Sequence, residues 1–157
     1  MLAKSRGIDL SLEYTQTLLR PILSAQPYPE VAPALQRLRD ADFTVIALAN
    51  STHKALETQL TNAKLTPLFD DQYSIESIGL YKPHLDVYDW AAKKAEAEPQ
   101  DCMLIAAHAW DIVGAQRSGM QTAFIARPDQ ELYPLAPEPD IVGDTLKEVA
   151  QSLLTNI

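Results

Sequence analysis

Short, unbroken apolar runs alternate with stretches of helical periodicity along most of this chain. Phe43 to Ala49 (FTVIALA), Met103 to Ala107 (MLIAA) and Thr122 to Ile125 are runs of strand length with almost no polar interruption. That is the pattern of strands covered on both faces rather than one. Between them, apolar residues recur at helical spacing. Glu30 to Ala41 predicts a helix with Val31, Leu35 and Leu38 inward, followed by helices over Lys54–Ala63, His84–Ala97 and Trp110–Ser118, the last stopped by Gly119. Gln72–Ile75 and Asp140–Val142 predict two shorter strands, and Thr145–Leu154 a closing helix with Asp144 as its N-cap. Residues 128–139 (PDQELYPLAPEP) read as a surface loop. From Glu30 onward, strand and helix alternate, which is the signature of an α/β fold: a mostly parallel sheet between two helical layers. Residues 8–24 predict an amphipathic helix kinked at Pro21, outside that alternation, with residues 26–29 as a linker.

In a parallel sheet the loops after the strands gather at one edge, where ligands bind. Three candidate groups fall there. Asn50-Ser51-Thr52 follows the first strand and opens a helix, a place suited either to an anion or to simple capping. Lys82, in Tyr81-Lys82-Pro83, stands at a helix start, where a cation opposes the dipole. It makes sense facing a carboxylate or an anionic ligand; a solvated surface lysine is the plain alternative. His108 and Asp111 follow the Met103–Ala107 strand, and Asp111 suits a helix cap as well as a site.

Composition narrows the partners. The 157 residues suit one domain with a core, and the net charge is −8. That argues against nucleic acid or an anionic membrane as partner, and leaves a small anionic substrate only where a local cation receives it. The single cysteine, Cys102, has no disulfide partner within the chain and reads as a small buried residue in a reducing, cytoplasmic setting. No apolar run is long enough to span a membrane, and no secretory leader pattern is evident.

The order ALANS, YKP, AAHAWD resembles motifs two, three and four of the haloacid dehalogenase superfamily. Tyr81-Lys82-Pro83 with Val87-Tyr88, then Ala109-Trp110-Asp111 with Gly114-Ala115 and Ser118-Gly119-Met120, is most similar to type II 2-haloacid dehalogenases. Arg127-Pro128 and Pro139-Asp140-Ile141-Val142 fit the same branch. The resemblance covers about residues 28–150 and implies a Rossmann-like three-layer sandwich over 27–157, with residues 1–26 as the remnant of a helical cap. It also implies chemistry without a cofactor or metal, in which an aspartate displaces halide and water then hydrolyses the aspartyl ester. By motif, Lys82 would stabilise that aspartate, and Asp111 would orient Lys82 and the water. Asn50 and Ser51 would lie at the substrate and leaving halide. Tyr88, His108 and Trp110 would line the pocket.

The chain also departs from the family pattern. The family's first strand ends in its nucleophilic aspartate, in a run like D-x-x-G-T, and nothing in residues 1–40 offers one. Ala49 stands where a hydroxyl residue is usual, and Ala106 and His108 replace a serine and an asparagine. Ala107 removes the first acid of the magnesium-binding pair used by the superfamily's phosphatases. The expectation is therefore a dehalogenase-type hydrolase inactive as this chain alone, with a non-catalytic binding module as the alternative and a phosphatase disfavoured. By resemblance the absent strand belongs between the motif-two and motif-four strands. It could come from a separate N-terminal piece or a neighbouring copy, making a homo-oligomer, or the two edges could close on each other.

Overall fold

The computed structural model describes residue 17 and residues 20–155; most of the expected helix over 8–24 and of the cap remnant over 1–26 lies outside that range, although 20–23 are helical. The elements run α1 (Val31–Asp40), β1 (Ile46–Ala49), α2 (His53–Asn62), β2 (Asp71–Ser74), α3 (Leu85–Lys94), β3 (Met103–Ala106), α4 (Ala109–Arg117), β4 (Gln121–Ile125), β5 (Ile141–Gly143) and α5 (Leu146–Thr155). Every strand pairing is parallel, as the crossover helices require.

The strands form two separate pieces: β1 with β2, and β3–β4–β5 in that order. No ladder joins β1 to β3, so the closing of these two edges on each other does not occur among the described residues. The two pieces nevertheless share their cores. On one face Ala47 and Ala49 of β1 and Ile105 of β3 pack with Leu35, Leu38, Leu56 and Ala150 from the surrounding helices. On the other, Leu48 and Leu104 pack with Tyr88, Ala92 and Ala115 of α3 and α4. This alternation from one residue to the next is the two-residue period of a strand buried on both faces.

Several boundaries differ from expectation for local reasons. β1 begins at Ile46 rather than Phe43, because Phe43 N–H turns back to the Leu38 carbonyl and Val45 bonds with Asp70 instead of a ladder partner. α3 ends at Lys94, short of Ala97, where Glu96 adopts φ +57° and its N–H and that of Ala97 close onto Lys93 and Ala92. At α5 the cap is Thr145, whose hydroxyl accepts the Glu148 N–H at 3.3 Å; the Asp144 N–H instead donates to the Glu148 carboxylate. That is a variant of the reciprocal threonine–glutamate cap, and Asp144 is not the capping side chain.

Candidate active site

Lys82 is the centre of the carboxyl edge. Its backbone is held by Asn50: the Lys82 N–H donates to Asn50 Oδ1 at 2.9 Å and Asn50 Nδ2 donates to the Lys82 carbonyl at 3.1 Å. The loop after β1 thus braces the loop before α3 across 32 residues of chain. From that brace the lysine side chain turns inward. Nζ donates to Asp111 Oδ2 at 2.7 Å and to the Leu48 carbonyl at 3.1 Å. The side chains of the pair are only 8% and 6% exposed. An ammonium carries three N–H donors, so one remains beyond these two bonds. The cation's odd position at a helix start is explained by the carboxylate it faces.

Asp111 does not cap α4. Its other oxygen, Oδ1, accepts the Tyr88 hydroxyl at 2.7 Å, so both carboxylate oxygens are engaged, one by a cation and one by a neutral donor. Tyr88, expected as a pocket wall, is wholly buried and stands behind Asp111. Burial, then the hydrogen bond to Asp111 and that carboxylate's charge, push its hydroxyl far above the ordinary tyrosine range. It therefore acts as a fixed donor, never as a base at neutral pH. Gly114 makes room for it: a Cβ there would meet the Tyr88 oxygen at 2.5 Å and Pro83 Cβ at 2.8 Å. Any side chain at this position would displace both the tyrosine and the loop that carries Lys82.

The remaining candidates form the rim. The Trp110 ring centroid is 5.9 Å from Lys82 Nζ, and the exposed His108 ring is tilted against Trp110 at 5.5 Å. Ser51 Oγ is buried without a hydrogen-bond partner, while its carbonyl accepts from the Ser74 hydroxyl. The helix start after Ser51 is capped by the chain itself: Thr52 accepts the Ala55 N–H, and the Glu76 carboxylate accepts the His53 N–H. Of the two readings of Asn50-Ser51-Thr52, capping is the one the geometry displays for Thr52. Asn50 is tied to the Lys82 backbone, with one amide hydrogen beyond that brace.

Sequence reasoning missed a second cluster on the same edge. Arg127, two residues past β4, pairs with Glu30 at the start of α1 and lies over the Tyr28 ring with 3.8 Å between guanidinium carbon and centroid. The only signal was an arginine just past a strand and a glutamate at a helix start.

The family model of haloacid dehalogenase-like hydrolases matches residues 4–119. The chain belongs to that family. An (S)-2-haloacid dehalogenase of Pseudomonas fluorescens is 28% identical over 96% of the chain, and (S)-2-haloacid dehalogenase 1 of Pseudomonas sp. (strain CBS-3) is 32% identical over 96%. The chain spans 66% of the length of each. Among solved structures, L-2-haloacid dehalogenase from Xanthobacter autotrophicus, with chloropropionic acid covalently bound, superposes with a TM-score of 0.87 at 21% identity, covering 96% of this chain and 70% of that one. A predicted phosphoglycolate phosphatase from Haemophilus somnus shares the fold at a TM-score of 0.74 and 17% identity, covering 96% and 72%. The shared α/β architecture with its parallel sheet therefore spans different chemistries, and the site must decide between them.

Proposed function

We propose that this chain carries the lysine–aspartate half of a hydrolytic active site acting on small 2-haloacids. The observation that carries the reading is the buried Lys82–Asp111 pair, with one ammonium hydrogen beyond its two bonds. A carboxylate attacking the halogen-bearing carbon needs a cation beside it to stay ionised and to offset charge as the carbon–halogen bond breaks. The halide leaves with the bonding electrons, and an ester forms. Water adding to the ester carbonyl then releases the 2-hydroxyacid and restores the carboxylate. Lys82 supplies the cation. Asp111, held by Tyr88, fixes Lys82 and stands where the water would be oriented. Asn50 holds the lysine loop and offers its remaining hydrogen to the leaving halide; Ser51, His108 and Trp110 form the rim against which the haloacid sits.

The donor set supports chemistry without a metal. Both Asp111 oxygens are engaged and an ammonium adjoins them, a poor setting for a hard dication that wants several free carboxylate oxygens. That favours a haloacid over a phosphoryl substrate, whose charge such a cation offsets.

In this reading the attacking carboxylate lies outside the described residues, since Asp111 is the only carboxylate there that Lys82 bonds. No helix of the described residues is long and apolar enough to cross a membrane, and the lone Cys102 suits the cytoplasm. The test is halide release from 2-chloropropionate. The chain alone releases none, whereas a version carrying the full length of its relatives does so and loses that activity with Lys82→Ala. Halide release by the chain alone, or an active Lys82→Ala form, would overturn the proposal.

A further inference from the structure

We infer that Ser77 and His53 form a second reactive centre at the carboxyl edge, in which Ser77 takes the acyl group of a small neutral carboxylic ester. The pair is made by folding across 24 residues of chain. His53 is the first residue of α2, and Ser77 ends the single 3₁₀ turn Ile75–Ser77 that follows β2. Both therefore stand past the carboxyl ends of adjacent parallel strands, where an α/β sheet receives ligands. His53 Nε2 and Ser77 Oγ are 2.9 Å apart, and both residues are exposed. With the ring proton on Nδ1, Nε2 accepts the serine hydroxyl, which is the contact that a nucleophile and its base require.

The surroundings hold both partners in place. The Glu76 carboxylate accepts the His53 N–H at 3.0 Å, so the residue beside the nucleophile fixes the backbone of the base. Its charge also favours the imidazolium that forms when the ring takes the serine proton. The turn is anchored from below by Ser74, whose hydroxyl donates to the Ser51 carbonyl and accepts the Glu76 N–H. Two residues past Ser77, a Cβ built on Gly79 would meet no atom within 4 Å, so the approach to the turn is open. The chemistry balances without a cofactor. Ser77 Oγ bonds the carbonyl carbon as the ester C–O bond breaks, and the hydroxyl proton passes to Nε2 and then to the leaving alkoxide. Water repeats the step, releasing the acid and restoring the serine. The neighbouring Glu76 and the net charge of −8 select a neutral ester over an anionic one. Lys82, by contrast, is directed inward to Leu48 and Asp111, and suits an anion.

This centre does not rest on the haloacid reading, and its test measures no halide. The whole chain is treated with 4-nitrophenyl acetate and quenched in acid at short times, before water removes the acyl group. Peptide mass spectrometry then compares acetyl transfer to Ser77 with transfer to Ser24, an exposed serine whose hydroxyl donates to the Arg20 carbonyl instead of to a base. Ser77 should be acetylated about a hundredfold faster, the lower end of what a positioned base contributes. His53→Gln keeps a hydrogen-bonding group beside Ser77 but removes the proton acceptor, and should bring Ser77 down to the rate of Ser24. Equal rates at the two serines in the unaltered chain would overturn the inference, whether or not the variant folds. Fast transfer to Ser77 in a folded His53→Gln chain would overturn it too, because something other than His53 would then activate the serine. The anionic mono-4-nitrophenyl succinate should label Ser77 several-fold more slowly than the acetate. An equal or faster rate would overturn the choice of a neutral ester.

Discussion

Two clusters at the carboxyl edge share the same parts: a cation, a carboxylate and a tyrosine. In Lys82–Asp111–Tyr88 the carboxylate is at the centre, taking a bond from the lysine on one oxygen and from the tyrosine on the other, with the whole group nearly excluded from water. In Arg127–Glu30–Tyr28 the cation is at the centre, with its side chain and that of Glu30 15% and 19% exposed and the tyrosine ring 56% exposed. The difference follows from the cations. A guanidinium is flat and can pair in its plane while stacking on a ring, so it fastens the start of α1 to the end of β4. An ammonium is a compact charge with three separate donors, and Lys82 has one left over. The first arrangement leaves the cation that the proposed chemistry calls for, and the second is a staple.

The comparison is broken most severely by removing Lys82. Lys82→Met keeps the bulk of the side chain and leaves Asp111 buried with only its tyrosine donor. Taking one partner from a buried pair costs roughly 3–5 kcal/mol. Urea denaturation should show that loss, and adding Asp111→Asn should recover part of it by removing the uncompensated charge. A loss no larger than that of an exposed pair would mean that the two clusters differ in position but not in energetics.

The sequence announced one cluster and concealed the other for a physical reason. Lys82 stood out because a cation at a helix start opposes the dipole, and that local anomaly points to a partner. Arg127 and Glu30, 97 residues apart, break no local rule, and no periodicity records a pair formed only by folding. The same limit hid the Asn50 brace and the Tyr88 bond to Asp111. The fold was more legible because IALA and MLIA are unbroken apolar runs, which few structures other than a strand covered on both faces accommodate. The errors fell at ends decided by a single residue, such as the backbone of Glu96 at the close of α3 and the hydroxyl of Thr145 at the start of α5.

Tyr88 sharpens the buried side of the comparison. Tyr88→Phe removes one hydrogen bond to a charged group and should cost about 1.5–3 kcal/mol near neutral pH. It also has an alkaline signature. The folded chain holds this proton well above pH 10.0, the ordinary tyrosine value, because burial and the Asp111 charge oppose ionisation. The unfolded chain gives it up near that value. Stability from this group is therefore complete below that pH and falls as pH rises above it, by up to about 1.4 kcal/mol per unit. Tyr73 is shifted the same way, chiefly by burial, and its share persists in the variant. Denaturation midpoints across the alkaline range should fall less steeply in Tyr88→Phe than in the parent chain. Equal slopes would show that Tyr88 is not held as a neutral donor.

The smallest effect belongs to the staple. The hydrogen bond from Arg127 leads the causes that hold the Glu30 carboxyl below its ordinary value of 4.5, with burial pulling the other way. A depressed carboxylate contributes stability above its unfolded value and loses it as pH falls through the folded one. Glu30→Gln should thus cost about 0.5–1 kcal/mol at neutral pH, the range of a solvent-screened pair. The gap between variant and parent should close in acid, where Glu30 is protonated in both states. Urea midpoints at neutral pH and well below 4.5 would measure it. A gap that stays constant in acid would assign the loss to packing against Arg127 and Tyr28, and the staple would then be held by stacking rather than charge.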